Sequence, residues 1–283
     1  MTASPIVSTA WLEDHLDDPT VRVIEISDVN DTAIYDSGHI PGAAWFFWKE
    51  ISWHETDRQF ITPEAMAKRL GAIGIGPETT VVLYGNPVQY GTYVFWMLTM
   101  AGHADLRVLD GARTKWVAEN RPLSTDKPHF EPADYPVPAP GNVAMRLGRD
   151  AVRERLDKPD CLILDARTPE EYNGLSVGGS GDDTGPGHGA QRFSRIPGAV
   201  PLFFKNFLNP DDTFKSPDDL RAIAESAGAT QKGVSKIICY CRLSHRATLM
   251  WTALTFLVGL ENVKIYDGSW TEWGSIVGFP IEN

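Results

Sequence analysis

Short runs of β-branched and aliphatic residues alternate with longer amphipathic stretches along this chain. Val21 to Ile26, Thr80 to Tyr84 and Leu106 to Leu109 read as strands. Ser8 to Leu16, Thr62 to Ala72 and Gly91 to Ala101 read as helices. The second half repeats the order, with strands at Cys161 to Asp165, Lys236 to Tyr240 and Val263 to Tyr266. Its helices fall at Asp150 to Leu156, Asp218 to Ala227 and Ala247 to Val258. Strands alternating with helices predict an α/β fold, each sheet mainly parallel and covered by helices on both faces.

The two halves also match in detail. His39-Ile40-Pro41-Gly42-Ala43 answers Arg195-Ile196-Pro197-Gly198-Ala199, 156 positions later. Val81 to Gly85 answers Ile237 to Cys241 at the same offset, and Leu109 to Trp116 answers Tyr266 to Trp273 at 157. Upstream, Val23-Ile24-Glu25 answers Ile163-Leu164-Asp165 at 140, so the second half carries about 16 extra residues. They form the glycine-rich stretch Gly174 to Gln191, read as an inserted surface loop, with a substrate lid as the lesser reading. A period this long signals duplication of a whole domain rather than a solenoid. Pro122 to Pro140, rich in Pro, Asp, Ser and Lys, has no apolar period and reads as a linker. The expected division is a domain at 1–124, a linker at 125–143 and a domain at 144–283.

Composition narrows the field. A chain of 283 residues has room for two domains that each bury a core. Its 26 basic and 37 acidic side chains leave a formal net charge of −11, which argues against a nucleic-acid surface. No apolar stretch is long enough to span a membrane, and residues 1–9 show no signal-peptide pattern. Three cysteines do not make a disulfide framework and suggest a reducing, cytoplasmic setting.

The segment that carries chemistry is Lys236 to Ala247. An apolar strand ends at Tyr240, a helix is expected from about Ala247, and Cys241 opens the loop between them. Ligands of open α/β sheets bind at such carboxyl ends. A loop entering a helix turns N–H groups inward, an arrangement that holds anions and stabilises a thiolate. Arg242, His245 and Arg246 add cations around the same spot. Cys239 and Cys161 lie within strand runs and read as core residues. The Cys239-Tyr240-Cys241 spacing has no second cluster beside it, so neither a metal nor an organic cofactor is expected. Asp165 and Arg167 read as a pair that holds a strand end, and Trp45-Phe46-Phe47-Trp48 as a packed edge.

These residues resemble the rhodanese family of sulfurtransferases in its tandem two-domain form. The resemblance rests on Gly38 to Ala43, Leu164 to Tyr172, Cys241 to Arg246 and Asp267 to Trp273, in that order. It implies two rhodanese-like domains and a double displacement through a Cys241 persulfide. The implied donor is thiosulfate, and the implied acceptor is cyanide or a thiol, with a protein acceptor as a further class. Substrate contacts would come from Arg242, Leu243, Ser244, His245, Arg246 and Trp270. Arg242 and Arg246 are the expected holders of the sulfonate. The first half has Tyr84 to Tyr90 where the second has its cysteine loop, so it is expected to be silent and to serve as cover for the site.

Other members set limits. Mercaptopyruvate-type loops read Cys-Gly-Ser-Gly-Val-Thr, whereas Arg242 and Arg246 bring this loop nearer to thiosulfate-type bacterial enzymes. Animal rhodaneses carry a cation where Leu243 stands and an Arg where Glu171 stands. Arg195 occupies a position expected to be His. Phosphatases of related fold separate Cys from Arg by five residues, but four lie between Cys241 and Arg246. A 3-mercaptopyruvate sulfurtransferase and a persulfide relay serving a protein are the alternatives that keep the same cysteine.

Overall fold

The computed structural model describes residues 4–139, 143–177 and 189–283. It divides into two compact units, Met1–Val143 with Pro210–Thr213, and Ala144–Asn209 with Phe214–Asn283. The first unit holds strands β1 Ile6–Val7, β2 Val21–Ser27, β3 Ala44–Phe47, β4 Thr80–Asn86 and β5 Leu106–Leu109. The second holds β6 Arg146–Leu147, β7 Cys161–Asp165, β8 Val200–Pro201, β9 Lys236–Tyr240 and β10 Val263–Tyr266. Helices of the first unit are α1 Thr9–Asp14, α2 Ala33–Ser37, α3 Trp48–Ser52, α4 Pro63–Ala72, α5 Val88–Ala101 and α6 Ala112–Ala118. Those of the second are α7 Arg149–Arg153, α8 Pro169–Tyr172, α9 Pro217–Ser226, α10 His245–Thr252 and α11 Ser269–Trp273.

Both sheets are parallel throughout, in the orders β1-β5-β4-β2-β3 and β6-β10-β9-β7-β8. The two orders correspond strand for strand, as duplication requires. Four strands match their expected limits to the residue: β5, β7, β9 and β10. Helix starts follow from their chemistry. Thr62 and Ser216 each cap a helix by accepting an N–H three residues on, and Pro63 and Pro217 occupy the next position, where no backbone donor is needed. Helix α5 begins at Val88, three residues before the expected Gly91, and buries nearly every side chain. Helix α10 begins at His245 rather than Ala247 and runs on as a π-helical turn, Ala253–Leu257.

The repeat extends to contacts. The Tyr35 hydroxyl donates to Ala43 O at 2.6 Å, and the Tyr172 hydroxyl to Ala199 O at 2.8 Å. The Trp116 indole donates to Pro122 O at 2.8 Å and the Trp273 indole to Pro280 O at 2.7 Å. His39 stacks on Tyr35, and Arg195 in its place lies over Tyr172 while pairing with Glu282 at 2.7 Å. Trp45, Phe46 and Phe47 lie on β3, the outermost strand, and Trp48 packs on Trp53 and Tyr93, which gives the packed edge.

Two expectations change. Cys161 rests against the core of its unit but is only half-buried, because it opens β7 at the sheet margin. Residues 125–139 carry no helix or strand, yet they are not a loose tether. The Ala133 N–H donates to Gly71 O at 2.9 Å, so close that a Cβ on Gly71 would stand 2.6 Å from Ala133 O. Tyr135 is buried and its hydroxyl meets His103 Nδ1 at 3.0 Å. Residues 178–188 of the glycine-rich stretch lie outside the described residues.

Candidate active site

Strand β9 is central in its sheet, between β10 and β7. Its last residue, Tyr240, is fully buried, and its hydroxyl donates to Asp165 at 2.5 Å. Asp165 ends β7 and binds the Arg167 guanidinium through both carboxylate oxygens, at 2.7 to 3.0 Å. It also accepts the Arg167 N–H at 3.0 Å. This pair therefore holds the strand end, as its spacing suggested.

Cys241 leaves the sheet at this point and is 1% exposed. Its N–H donates to the Ser269 hydroxyl at 3.2 Å. The N-terminal amides of α11 take the next carbonyls: Trp270 N–H donates to Cys241 O at 2.9 Å and Thr271 N–H to Arg242 O at 3.2 Å. In a trans peptide the N–H points opposite to the C=O. The Arg242 and Leu243 N–H groups are thus turned away from α11. Ser244 follows with φ 75°, a left-handed conformation uncommon outside glycine, and stands at the residue before α10 without a capping bond from its side chain. Its hydroxyl donates to Asp267 O at 2.7 Å, which holds that conformation in place. The first N–H groups of α10 have no acceptor within their own helix. The result is a four-residue turn in which the Cys241 and Arg242 carbonyls are fastened to α11 and the Arg242 and Leu243 amides face the other way, a cradle suited to an anion or a thiolate.

The predicted side chains fare differently. Arg242, Leu243, Ser244 and His245 are all buried around the turn. Arg246 lies on the first turn of α10, and its guanidinium grips Glu171 with two bonds, Nη1 to Oε2 at 2.5 Å and Nη2 to Oε1 at 2.9 Å. One of the two guanidinium charges expected to face a sulfonate is therefore already matched by a carboxylate. Burial alone would push the Glu171 carboxyl up, but Arg246 and the Thr168 N–H bring it down to about 2. Trp270 is fully buried in the core of the second unit, stacked under Arg167 at 4.7 Å, with its indole N–H on Arg192 O. Its tie to Cys241 is through the backbone. Cys239 is buried among apolar neighbours, which push its thiol well up.

The roles of two residues escaped the sequence reading. Ser269 is buried and joins Cys241 N–H, Ser244 Oγ and Tyr266 O in one knot. Comparing the repeats gives the clue, since the first half has Ala112 there. Glu171 was noticed, but its grip on Arg246 spans 75 residues of sequence and leaves no local pattern. Among the described residues no cluster of His, Cys, Asp and Glu could hold a metal, and no helix is long and apolar enough to cross a membrane.

The same turn in the first unit is closed. Strand β4 runs on through Gly85 and Asn86, which stay paired to Ile26 and Ser27. A Cβ at Gly85, the position matching Cys241, would stand 2.4 Å from Gly91 N and from Pro87 O. Only Pro87 separates β4 from α5, where four residues separate β9 from α10.

The rhodanese-like domain family matches the chain twice, over residues 8–119 and 149–276. The sulfur carrier protein TtuD of Thermus thermophilus is 42% identical over 280 residues, covering 98% of this chain and 95% of its own. A protein of Haloferax volcanii, provisionally named a thiosulfate sulfurtransferase, is 39% identical over 98% of this chain and 96% of its own. Among solved structures, a variant of EanB in complex with ergothioneine superposes with a TM-score of 0.84 at 26% identity, covering 99% of this chain and 70% of that one. YnjE superposes with a TM-score of 0.83 at 26% identity, covering 99% and 68%.

Proposed function

The chain belongs to the rhodanese family of sulfurtransferases, and from that premise we propose that Cys241 carries the transferred sulfur. The Cys241 thiolate attacks the outer sulfur of a donor such as thiosulfate. The sulfur–sulfur bond breaks and sulfite departs with the electron pair. Cys241 is left as a persulfide, from which a thiol or cyanide takes the outer sulfur and restores the thiolate. The route divides one transfer into two simpler displacements.

The observation that carries this reading is the turn at the end of β9. The Cys241 and Arg242 carbonyls are tied to α11, which leaves the Arg242 and Leu243 N–H groups on the opposite side to stabilise the charge that Cys241 would bear in both thiolate and persulfide forms. Cys239 and Cys161 lack such a cradle. The first unit acts as a silent partner, because its matching turn has no room for a side chain. Delivery to a protein acceptor is a second reading, favoured by the relative whose name is sulfur carrier protein.

Cys241→Ser is expected to abolish transfer, while Cys239→Ser and Cys161→Ser keep most of it. Mass spectrometry after donor treatment should find one added sulfur, on Cys241. Full turnover by Cys241→Ser would end the proposal.

A further inference from the structure

Three ion pairs stand around the end of β9. Arg246 meets Glu171 at 2.5 Å, Arg167 meets Asp165 at 2.7 Å, and Arg146 meets Asp267 at 2.8 Å. Each of these cations is matched by a carboxylate. Glu171 is fixed from its own side as well. Its Oε2 accepts the Thr168 N–H at 3.0 Å while the Thr168 hydroxyl accepts the Glu171 N–H at 3.3 Å, a reciprocal cap on α8. Its side chain is 3% exposed and that of Arg246 is 16% exposed, so water screens the pair weakly. The carboxyl is ionised through the whole neutral range, since its pKa is held at about 2.

Thiosulfate brings two negative charges to a thiolate that bears a third. A guanidinium in contact with a carboxylate adds little net field at a distance, because the two charges nearly cancel there. We infer, resting on the Cys241 reading above, that Glu171 is a specificity-determining residue. Its grip on Arg246 turns the cysteine loop away from dianionic thiosulfate and toward a sulfane donor of lower charge, the persulfide of a small organic thiol. The transfer balances without an outside oxidant. The Cys241 thiolate attacks the outer sulfur of R–S–SH, the sulfur–sulfur bond breaks, and R–S⁻ leaves with the electron pair. The proton stays on the moved sulfur, now Cys241–S–SH. Selectivity here is a difference between two donors, set by a residue that weakens one of them.

The test compares wild type, Glu171→Gln and the double variant Glu171→Gln, Arg246→Gln. Gln serves the same capping position, so the start of α8 is kept. Loading of Cys241 is followed by intact-protein mass spectrometry, with thiosulfate and with the persulfide of 2-mercaptoethanol, which carries at most one negative charge, over a range of concentrations. Glu171→Gln should raise the thiosulfate-to-persulfide ratio of loading constants about tenfold, equal to about 1.4 kcal/mol. The gain should appear as a lower half-saturating thiosulfate concentration rather than a higher maximal rate. The double variant restores the wild-type charge sum and should return the ratio to near its wild-type value. An unchanged ratio in Glu171→Gln, or a double variant that behaves like the single one, overturns the inference. Should Glu171→Gln melt early, Glu171→Met carries the same expectation. Failure of both donors to load wild-type Cys241 would instead overturn the sulfur-transfer reading on which this rests.

Discussion

Ser269 shows how much of the cysteine turn depends on one hydroxyl. It accepts the Cys241 N–H and donates to Tyr266 O, all out of contact with water. Ser269→Ala leaves a buried donor unmatched, at a cost of about 1–3 kcal/mol. The variant is expected to melt earlier and to load Cys241 more slowly without losing the covalent step, as thermal melts and rapid-quench mass spectrometry would record. A rate equal to wild type would mean that the turn keeps its shape unaided. At this scale the sequence singled out Cys241 for the proposal, since a cysteine placed after an apolar strand and before a run of cations suits a nucleophile far better than a core residue. It was uninformative about Ser269 and Glu171, whose partners stand 28 and 75 residues away. Trp270 was expected to touch substrate, yet an aromatic residue after Gly268-Ser269 fits a core as well as a pocket until its neighbours are known.

Among the elements, legibility follows length and burial. Strands β5, β7, β9 and β10 are short β-branched runs closed by turn residues, and pattern alone delimits them. The two-residue strands β1, β6 and β8 have too few positions to show a period and exist only through the neighbour they pair with. Helix α10 starts two residues before the expected Ala247, because Ser244 adopts a left-handed conformation that no propensity predicts. The contrast between the turns after β4 and β9 leads to a prediction. Gly85→Ala forces a methyl group to within 2.4 Å of the backbone of Gly91 and Pro87, which must shift. Overpacking of this kind costs about 1–3 kcal/mol or more. Denaturant melts should show the loss, while Cys241 still acquires sulfur. Loss of loading in a folded Gly85→Ala protein would show that the first unit does more for the chemistry than its closed turn implies.

For the molecule as a whole, the repeat made duplication legible, and the matching sheet orders follow from it. The docking of residues 125–139 was hidden, since a stretch rich in Pro and polar residues has the same composition whether it is tethered or free. One of its anchors is sensitive to acid. Burial lowers the pKa of His103 below its ordinary value of 6.5, while its Nε2 faces Thr79 O at 2.8 Å and its Nδ1 faces the Tyr135 hydroxyl. A base with a depressed folded pKa contributes stability above its unfolded value and loses it as the pH falls through the folded one. Protection factors around Tyr135, which discount the intrinsic slowing of amide exchange in acid, should therefore fall as the pH drops from about 7 toward about 5, less so in His103→Gln. Equal pH dependence in the two proteins would discount the contact.

The seat of residues 125–139 also bears on where this molecule can be divided. The gap left bare by Gly71 is occupied by the Ala133 backbone, and Tyr135 lies against His103. A gene cut after residue 124 would thus encode a first half with an open seam of backbone acceptors and aromatic surface, prone to stick to its own copies. A cut after Val143 keeps this strap with its unit, which then lacks only Pro210–Thr213. What looks like the hinge of a duplicated protein belongs, in assembly terms, to the half that precedes it.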